Sequence, residues 1–292
     1  VTPIENKLHL EKGEQAQVRF NLSIPPGTND YLISGEVIAG QKTYTSELQK
    51  IDYPHIQTHR IYRQADLQLQ TIDLKVAPVT VGYIAGSGDE VPEAIKRMGI
   101  DVKLLDDNDL TRNDLSRFDC IVVGIRAYEV RPGLVANNNR LLNYARDGGT
   151  LIVQYQRLDY VARNLTPYPA QMQARVNDEN APVKILEPQN PIFSFPNRIT
   201  DEDWKGWVHE RSLYNFKTFD SHYVPLLESH DPGESPQNGG EVMAKVGRGN
   251  YIYTSYSWFR QLPAGVPGAY RLFANLLSLP KGLPKAGAAA ER

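Results

Sequence analysis

With 292 residues, 41% of them hydrophobic, and a formal net charge of -2, the chain carries enough apolar material for two ordinary cores, and its composition excludes a disordered chain. Acidic and basic side chains are interspersed without a long block of either sign, which argues against nucleic acid or an anionic membrane as partner. No stretch approaches the ~18 to 20 uninterrupted apolar residues of a membrane span, and no charged segment leads into an apolar one at the N-terminus.

The first 76 residues read as all-β. "KLHLEKGEQAQVRFNLSIPPG" alternates apolar and polar positions, and "YLISGEVIAGQKTYTSEL" adds two short runs joined around Gly40. Pro25, Pro26 and Gly27 punctuate the interval, no helical period survives, and a small antiparallel, immunoglobulin-like sandwich is the economical solution. The chain opens at Val1 without a methionine and enters this pattern within a few residues, so it is expected to be part of a longer protein.

After Pro78 the period changes. "VTVGYIAGSGDEVPEAIKRMGIDVKLL" reads as strand, glycine turn, amphipathic helix and strand, and "FDCIVVGIRAY", "RLLNYARDGGTLIVQYQ" and "GNYIYTSYSWF" continue the alternation. Near-continuous apolar strands separated by helices predict an α/β domain over residues 77–282: a flavodoxin-like, doubly wound parallel sheet covered on both faces. Residues 157–240 are richer in proline and polar residues and read as an elaboration over the strand ends. Residues 283–292 read as a tail.

Several motifs are incomplete. Gly86 and Gly88 stand between a strand and a helix, where a phosphate turn would be, but the third glycine is missing, and Asp89 and Glu90 would repel a phosphate. These acids read instead as first-turn helix stabilisers, with Pro92 at an early helical position. Of the six histidines, only His55 and His59 are close in sequence, and on a strand they would lie about 13 Å apart, too far to share one ion. The single cysteine, Cys120, excludes an intrachain disulfide framework, and its place inside "FDCIVVG" reads as a small buried hydrophobe.

Candidate site residues gather where strands end. "VVGIRAYEVRP" offers Arg126 and Tyr128, "TLIVQYQ" offers Tyr155 and Gln156, and "YTSYSWFRQLP" offers Trp258, Arg260 and Gln261. "RITDEDWKGWVHERSLYNF" adds Asp203, Trp207, Glu210 and Arg211. The aromatics could stack on sugar faces while Arg126, Glu210, Arg260 and Gln261 supply hydrogen bonds. The same carboxylates could instead serve glycoside hydrolysis. Against both stands plain packing, with a surface pair between Glu210 and Arg211 and each of Arg126 and Arg260 held by an acidic neighbour.

"VVGIRAYEVRPGLVANNNRLLNYARDGGTLIVQYQ", "ITDEDWKGWVHERSLYNF" and "RQLPAGVPGAYRLFANLLSLPK" together resemble the C-terminal region of long bacterial PIG-L (LmbE-like) family deacetylases. That resemblance implies a β-sandwich followed by a class I glutamine-amidotransferase-like domain. It also implies an upstream domain that hydrolyses the N-acetyl group of an aminosugar with zinc held on an AHPDDE-type motif, and a periplasmic or secreted setting. This chain has no such motif, so no catalytic residue and no cofactor is assigned to it; zinc would belong upstream. Active amidotransferases place a cysteine at a strand-to-helix elbow and a histidine at the end of a later strand. Here those positions are read as Tyr155 or Gln156 and as Ser257 or Trp258. The expectation is therefore a non-catalytic accessory region that binds carbohydrate or docks on the upstream enzyme.

Overall fold

The computed structural model describes residues 4–25, 27 and 29–283; Pro26 and nearly all of the expected tail lie outside them. The chain divides between Asp73 and Leu74 into two compact units.

The N-terminal unit holds six strands: β1 (Asn29–Ser34), β2 (Val37–Ala39), β3 (Lys42–Tyr44), β4 (Ser46–Ile51), β5 (His59–Gln64) and β6 (Asp66–Thr71). They pair antiparallel as β1 with β6, β2 with β3 and β4 with β5. The expected strand-rich character is present, but the two packed layers of a sandwich are not: none of the described residues up to Asp73 is buried. The alternating segment around Leu8, Leu10, Phe20 and Leu22 belongs to no strand, and these four side chains are exposed.

The second unit is α/β. In chain order come β7 (Val81–Ile84), α1 (Val91–Arg97), β8 (Val102–Leu104), α2 (Asp107–Arg112), β9 (Cys120–Val123) and the helices α3 (Ala127–Val130), α4 (Pro132–Ala136) and α5 (Asn138–Arg146). They are followed by β10 (Thr150–Gln154), α6 (Asp159–Ala162), β11 (Ala170–Val176), β12 (Val183–Ile185), β13 (Ser212–Phe219), β14 (Tyr223–Pro225), β15 (Leu227–Ser229), β16 (Glu241–Val246), β17 (Gly249–Thr254), α7 (Trp258–Gln261) and α8 (Pro267–Gly282).

A seven-stranded sheet runs β14-β16-β17-β10-β9-β7-β8. Its five parallel members, β8-β7-β9-β10-β17, follow the 2-1-3-4-5 order of flavodoxin-like folds. The sheet is mixed rather than wholly parallel because β16 and β14 extend it antiparallel at one edge. The hairpin between β16 and β17 turns through Gly247 and Arg248, with Gly247 at φ 58, where an L side chain would be strained.

Every residue of β7, β9, β10 and β17 is buried, which explains why these strands read as continuous apolar runs. Ile121, Val123, Leu151, Val153, Tyr251 and Tyr253 share one core with Leu141, Leu142 and Tyr144 of α5. On the opposite face Cys120 lies with its sulfur 3.7 Å from the Leu277 carbonyl of α8, and burial pushes its thiol pKa up. Among the described residues no helix is long and apolar enough to cross a membrane.

Candidate functional site at the strand ends

In a doubly wound sheet ligands enter outside the carboxyl ends of the strands where the order reverses, here between β7 and β9. That crevice is closed from within. Ser87 N–H donates to the Ile125 carbonyl at 3.0 Å, and Gly124 N–H donates to the Ile84 carbonyl at 2.8 Å. A Cβ on Gly86 would collide with the Ile125 carbonyl, so glycine is required for this approach.

Asp89 fills the remaining space. It accepts from the Tyr83 hydroxyl at 2.5 Å and the Val91 amide at 3.1 Å, and the Gly86 and Ile125 amides also donate to it. Burial raises its pKa, partly opposed by these donors. Asp89 does meet the first amide of α1, as expected of a helix stabiliser, but it also accepts from Tyr83 and from the backbone of the two loops that close the crevice. Pro92 does stand in the first turn of α1.

The position expected to be a nucleophile elbow is also occupied by structure. Gln156 is 1% exposed and accepts from the Tyr128 amide at 3.1 Å. Its Nε2 donates to the carbonyls of Gly124 at 2.8 Å and Gln154 at 3.0 Å. No left-handed residue follows β10 directly; the strand-to-helix turn with a left-handed, non-glycine apex lies one strand over, at Arg126 with φ 52. The Arg126 amide donates to the Tyr155 carbonyl, which ties the two strand ends together.

Around that apex runs a rim of rings and guanidinium groups. Tyr155 stacks on Tyr214 with ring centres 5.5 Å apart and planes 6° apart, and meets Phe259 at 5.5 Å with planes tilted by 43°. Tyr214 is itself left-handed, with φ 59, and is half-buried, as is Phe259. Glu129 holds Arg126 through two hydrogen bonds of 2.7 and 2.9 Å and also pairs with Arg157 at 3.0 Å. Arg260 pairs with Glu210 at 2.5 Å. Both candidate arginines are therefore held by acidic neighbours, the alternative left open by the sequence.

Several sequence candidates do not face a ligand. Trp258 is completely enclosed, donates its indole N–H to Thr254 Oγ1 at 2.8 Å and packs on Phe273. Trp207 is 4% exposed and donates to the Asp203 carbonyl. Tyr128 is 5% exposed, with its hydroxyl on Asn138 Oδ1 at 2.6 Å. Gln261 is buried and bridges the Val208 amide and carbonyl. All four have their polar atoms paired internally, and the three rings have no face open for a sugar, which corrects the expectation that they stack on one.

The expected Glu210 to Arg211 surface pair is corrected too. Arg211 is buried, lies over the Trp207 ring at 5.1 Å and donates Nε to the Ala181 carbonyl, while Glu210 turns to Arg260. Asp203, the other carboxylate considered for acid or base work, caps a turn through the Thr200 amide and binds Arg271 at 2.8 Å. Ser257, one of the residues read in the histidine position, donates its hydroxyl to the Glu210 carbonyl at 2.6 Å.

Sequence reasoning missed Tyr214, Phe259, Glu129, Arg157 and the buried Glu241. Phe259 stood between two residues that were singled out. Glu129 lies three residues beyond Arg126 on one helical turn, a spacing that brings opposite charges together. Glu241 gave no signal, because its enclosure depends on β16 pairing with β17.

No family model and no curated protein matches this chain. Among solved structures it is similar to PurLQS from Thermotoga maritima, at 13% identity over 69% of this chain and 98% of that one, with a TM-score of 0.45. It is also similar to a glutamine amidotransferase from Thermotoga maritima, at 10% identity over 69% and 97%, with a TM-score of 0.41. A third similarity is to the cold-adapted β-galactosidase from Rahnella sp. R3, at 14% identity over 68% of this chain and 31% of that one, with a TM-score of 0.42. The strand order itself establishes the α/β unit as flavodoxin-like.

Proposed function

We propose that this chain is a non-catalytic accessory region whose α/β unit recognises a carbohydrate at the Tyr214, Tyr155 and Phe259 rim. The half-buried faces of Tyr214 and Phe259 would stack on sugar rings, and Arg126, Arg157 and Arg260 would donate to hydroxyl or carboxylate groups. The observation that carries this reading is that two left-handed, non-glycine residues, Arg126 after β9 and Tyr214 within β13, both adjoin Tyr155, one through its carbonyl and the other through its ring. Such backbone costs about 1–3 kcal/mol per residue and collects where side chains must be aimed. The crevice plugged by Asp89 and Gln156 is compatible with recognition and leaves no nucleophile and base at the expected positions. Following the sequence resemblance, the region would serve a PIG-L-type N-acetylglucosamine deacetylase, docked on or presenting glycan to an upstream zinc domain.

Isothermal titration of the whole chain with chitooligosaccharides, aminosugars and peptidoglycan fragments tests the reading. Saturable binding to one of them is expected, weakened at least tenfold in Tyr214→Ala and Phe259→Ala. A flat panel, or binding untouched by both substitutions, would remove the rim as a glycan site.

A further inference from the structure

Tyr155 is 8% exposed, yet its hydroxyl has no hydrogen-bond partner among the described residues, and neither has that of Tyr214, whose ring is stacked on it. Tyr83, Tyr128 and Tyr253, enclosed to a similar degree or more, all bond through their hydroxyls. A phenol buried this far and left unpaired is a donor to be met from outside the chain. Burial raises the Tyr155 pKa against the pull of Arg126, so the phenol keeps its proton.

The charges beside this phenol do not cancel. Arg126, Arg157 and Glu129 all act on it, and the one carboxylate serves both guanidinium groups. Hydrogen bonds from Arg126 hold Glu129 below the ordinary carboxylate range, so at neutral pH the trio carries an excess positive charge. Arg126 spends two N–H groups on Glu129 and Arg157 spends one, which leaves most of the donors of both unused. Asp159 and Arg163, lining the small cavity next to Arg157, add one charge of each sign and leave the excess in place.

We propose that the sugar taken by this rim is an acidic one, a uronic acid whose carboxylate is bound by Arg126, Arg157 and the Tyr155 hydroxyl while its ring lies against Tyr214. The assignment rests on the reading of the rim as a carbohydrate site and names the class of sugar. A guanidinium fork matches the two oxygens of a carboxylate, and such charge-assisted bonds are about twice as strong as those to a neutral hydroxyl. A neutral sugar would leave the excess charge uncompensated, and the ammonium group of a free aminosugar would be repelled by it.

The test is isothermal titration of the whole chain with oligogalacturonate and oligomannuronate, each beside the same oligomer with its carboxyl groups reduced to alcohols, and with inorganic phosphate. An acidic oligomer is expected to bind about tenfold tighter than its reduced form or more. That ratio should fall towards one in Arg157→Gln. Tyr155→Phe should weaken the acidic oligomer several-fold and leave thermal unfolding unchanged, because no internal hydrogen bond is lost. Equal binding of acidic and reduced oligomers overturns the assignment and leaves the rim as a neutral-sugar site, as does binding of chitooligosaccharides alone. Phosphate bound as tightly as the acidic oligomer overturns it in favour of a general anion site. If every oligomer is silent, both the assignment and the carbohydrate reading fall.

Discussion

Tyr253 and Tyr62 are both tyrosines on antiparallel-paired strands, and both stand among apolar neighbours. Tyr253 is fully enclosed, stacked on Phe216 at 4.2 Å with planes 2° apart, and its hydroxyl donates to the Tyr214 carbonyl at 2.7 Å. Tyr62 is 67% exposed beside Leu48. In the α/β unit α5 packs on β10 and β17, and α8 packs on β10 and lies beside Cys120 of β9; among the described residues up to Asp73 none is buried. Apolar patterning therefore specifies that a segment is strand, whereas the layer that buries it must come from elsewhere in the fold or from outside it.

The sharpest way to break the comparison is to empty the enclosed side. Trp258→Ala removes a fully buried indole and leaves the Thr254 hydroxyl without its donor. A loss of about 3–5 kcal/mol in unfolding free energy is expected from denaturant titration followed by circular dichroism. A loss below 1 kcal/mol would mean that Trp258 is not held in a tightly packed cluster with Trp207, which meets Tyr256, and with Phe273.

Glu241 sharpens the comparison electrostatically. Its side chain is fully buried with Thr254 Oγ1 as donor, and burial pushes its pKa up to about 7. The folded state holds this proton more tightly than the unfolded chain, whose Glu titrates near ~4.3. Stability from this group is therefore complete below that pH and falls as pH rises through about 7. The difference amounts to about 3 kcal/mol between pH 4 and pH 8. Glu241→Gln should flatten that part of the stability profile; an unchanged slope would assign it to other groups.

The smallest effect belongs to the exposed side. Tyr62→Ser should move the thermal unfolding of the α/β unit, read by tryptophan fluorescence, by less than about 0.5 kcal/mol, since a surface substitution removes little buried area. A larger shift would show that the two units share stability.

Much of this was legible from sequence because it is local. The β7, β9, β10 and β17 strands announce themselves as apolar runs, and the alternation with helices predicts the doubly wound order. The β16–β17 hairpin was missed although Gly247 marks its turn: "GNYIYTSYSWF" was read as a strand, but "EVMAKV" just before it was assigned no element. The site was less legible for a physical reason. Strand-end position says which residues arrive at the rim, but not whether a ring lies flat on the surface or turns inward, and Trp258 and Trp207 turn inward to satisfy their indole N–H groups. Tyr214 and Arg126 depend on backbone in the left-handed region, which neither residue type signals.

The loop contacts around Asp89 also set how this unit can change. Gly86 is blocked by main chain, the Ile125 carbonyl, so no second substitution makes room there. Gly124 is blocked first by the Asp89 carboxylate, with the Gly86 amide and the Ile84 carbonyl close behind. One glycine is thus bound to the path of the backbone and the other chiefly to the identity of a single side chain. In a mutational library position 86 should tolerate nothing else, whereas at position 124 a shortened residue 89 would remove the nearest obstacle to alanine and leave the Gly86 amide, 2.9 Å away, to give way, a dependence of one site on the other that the closed crevice writes into the chain's permitted variation.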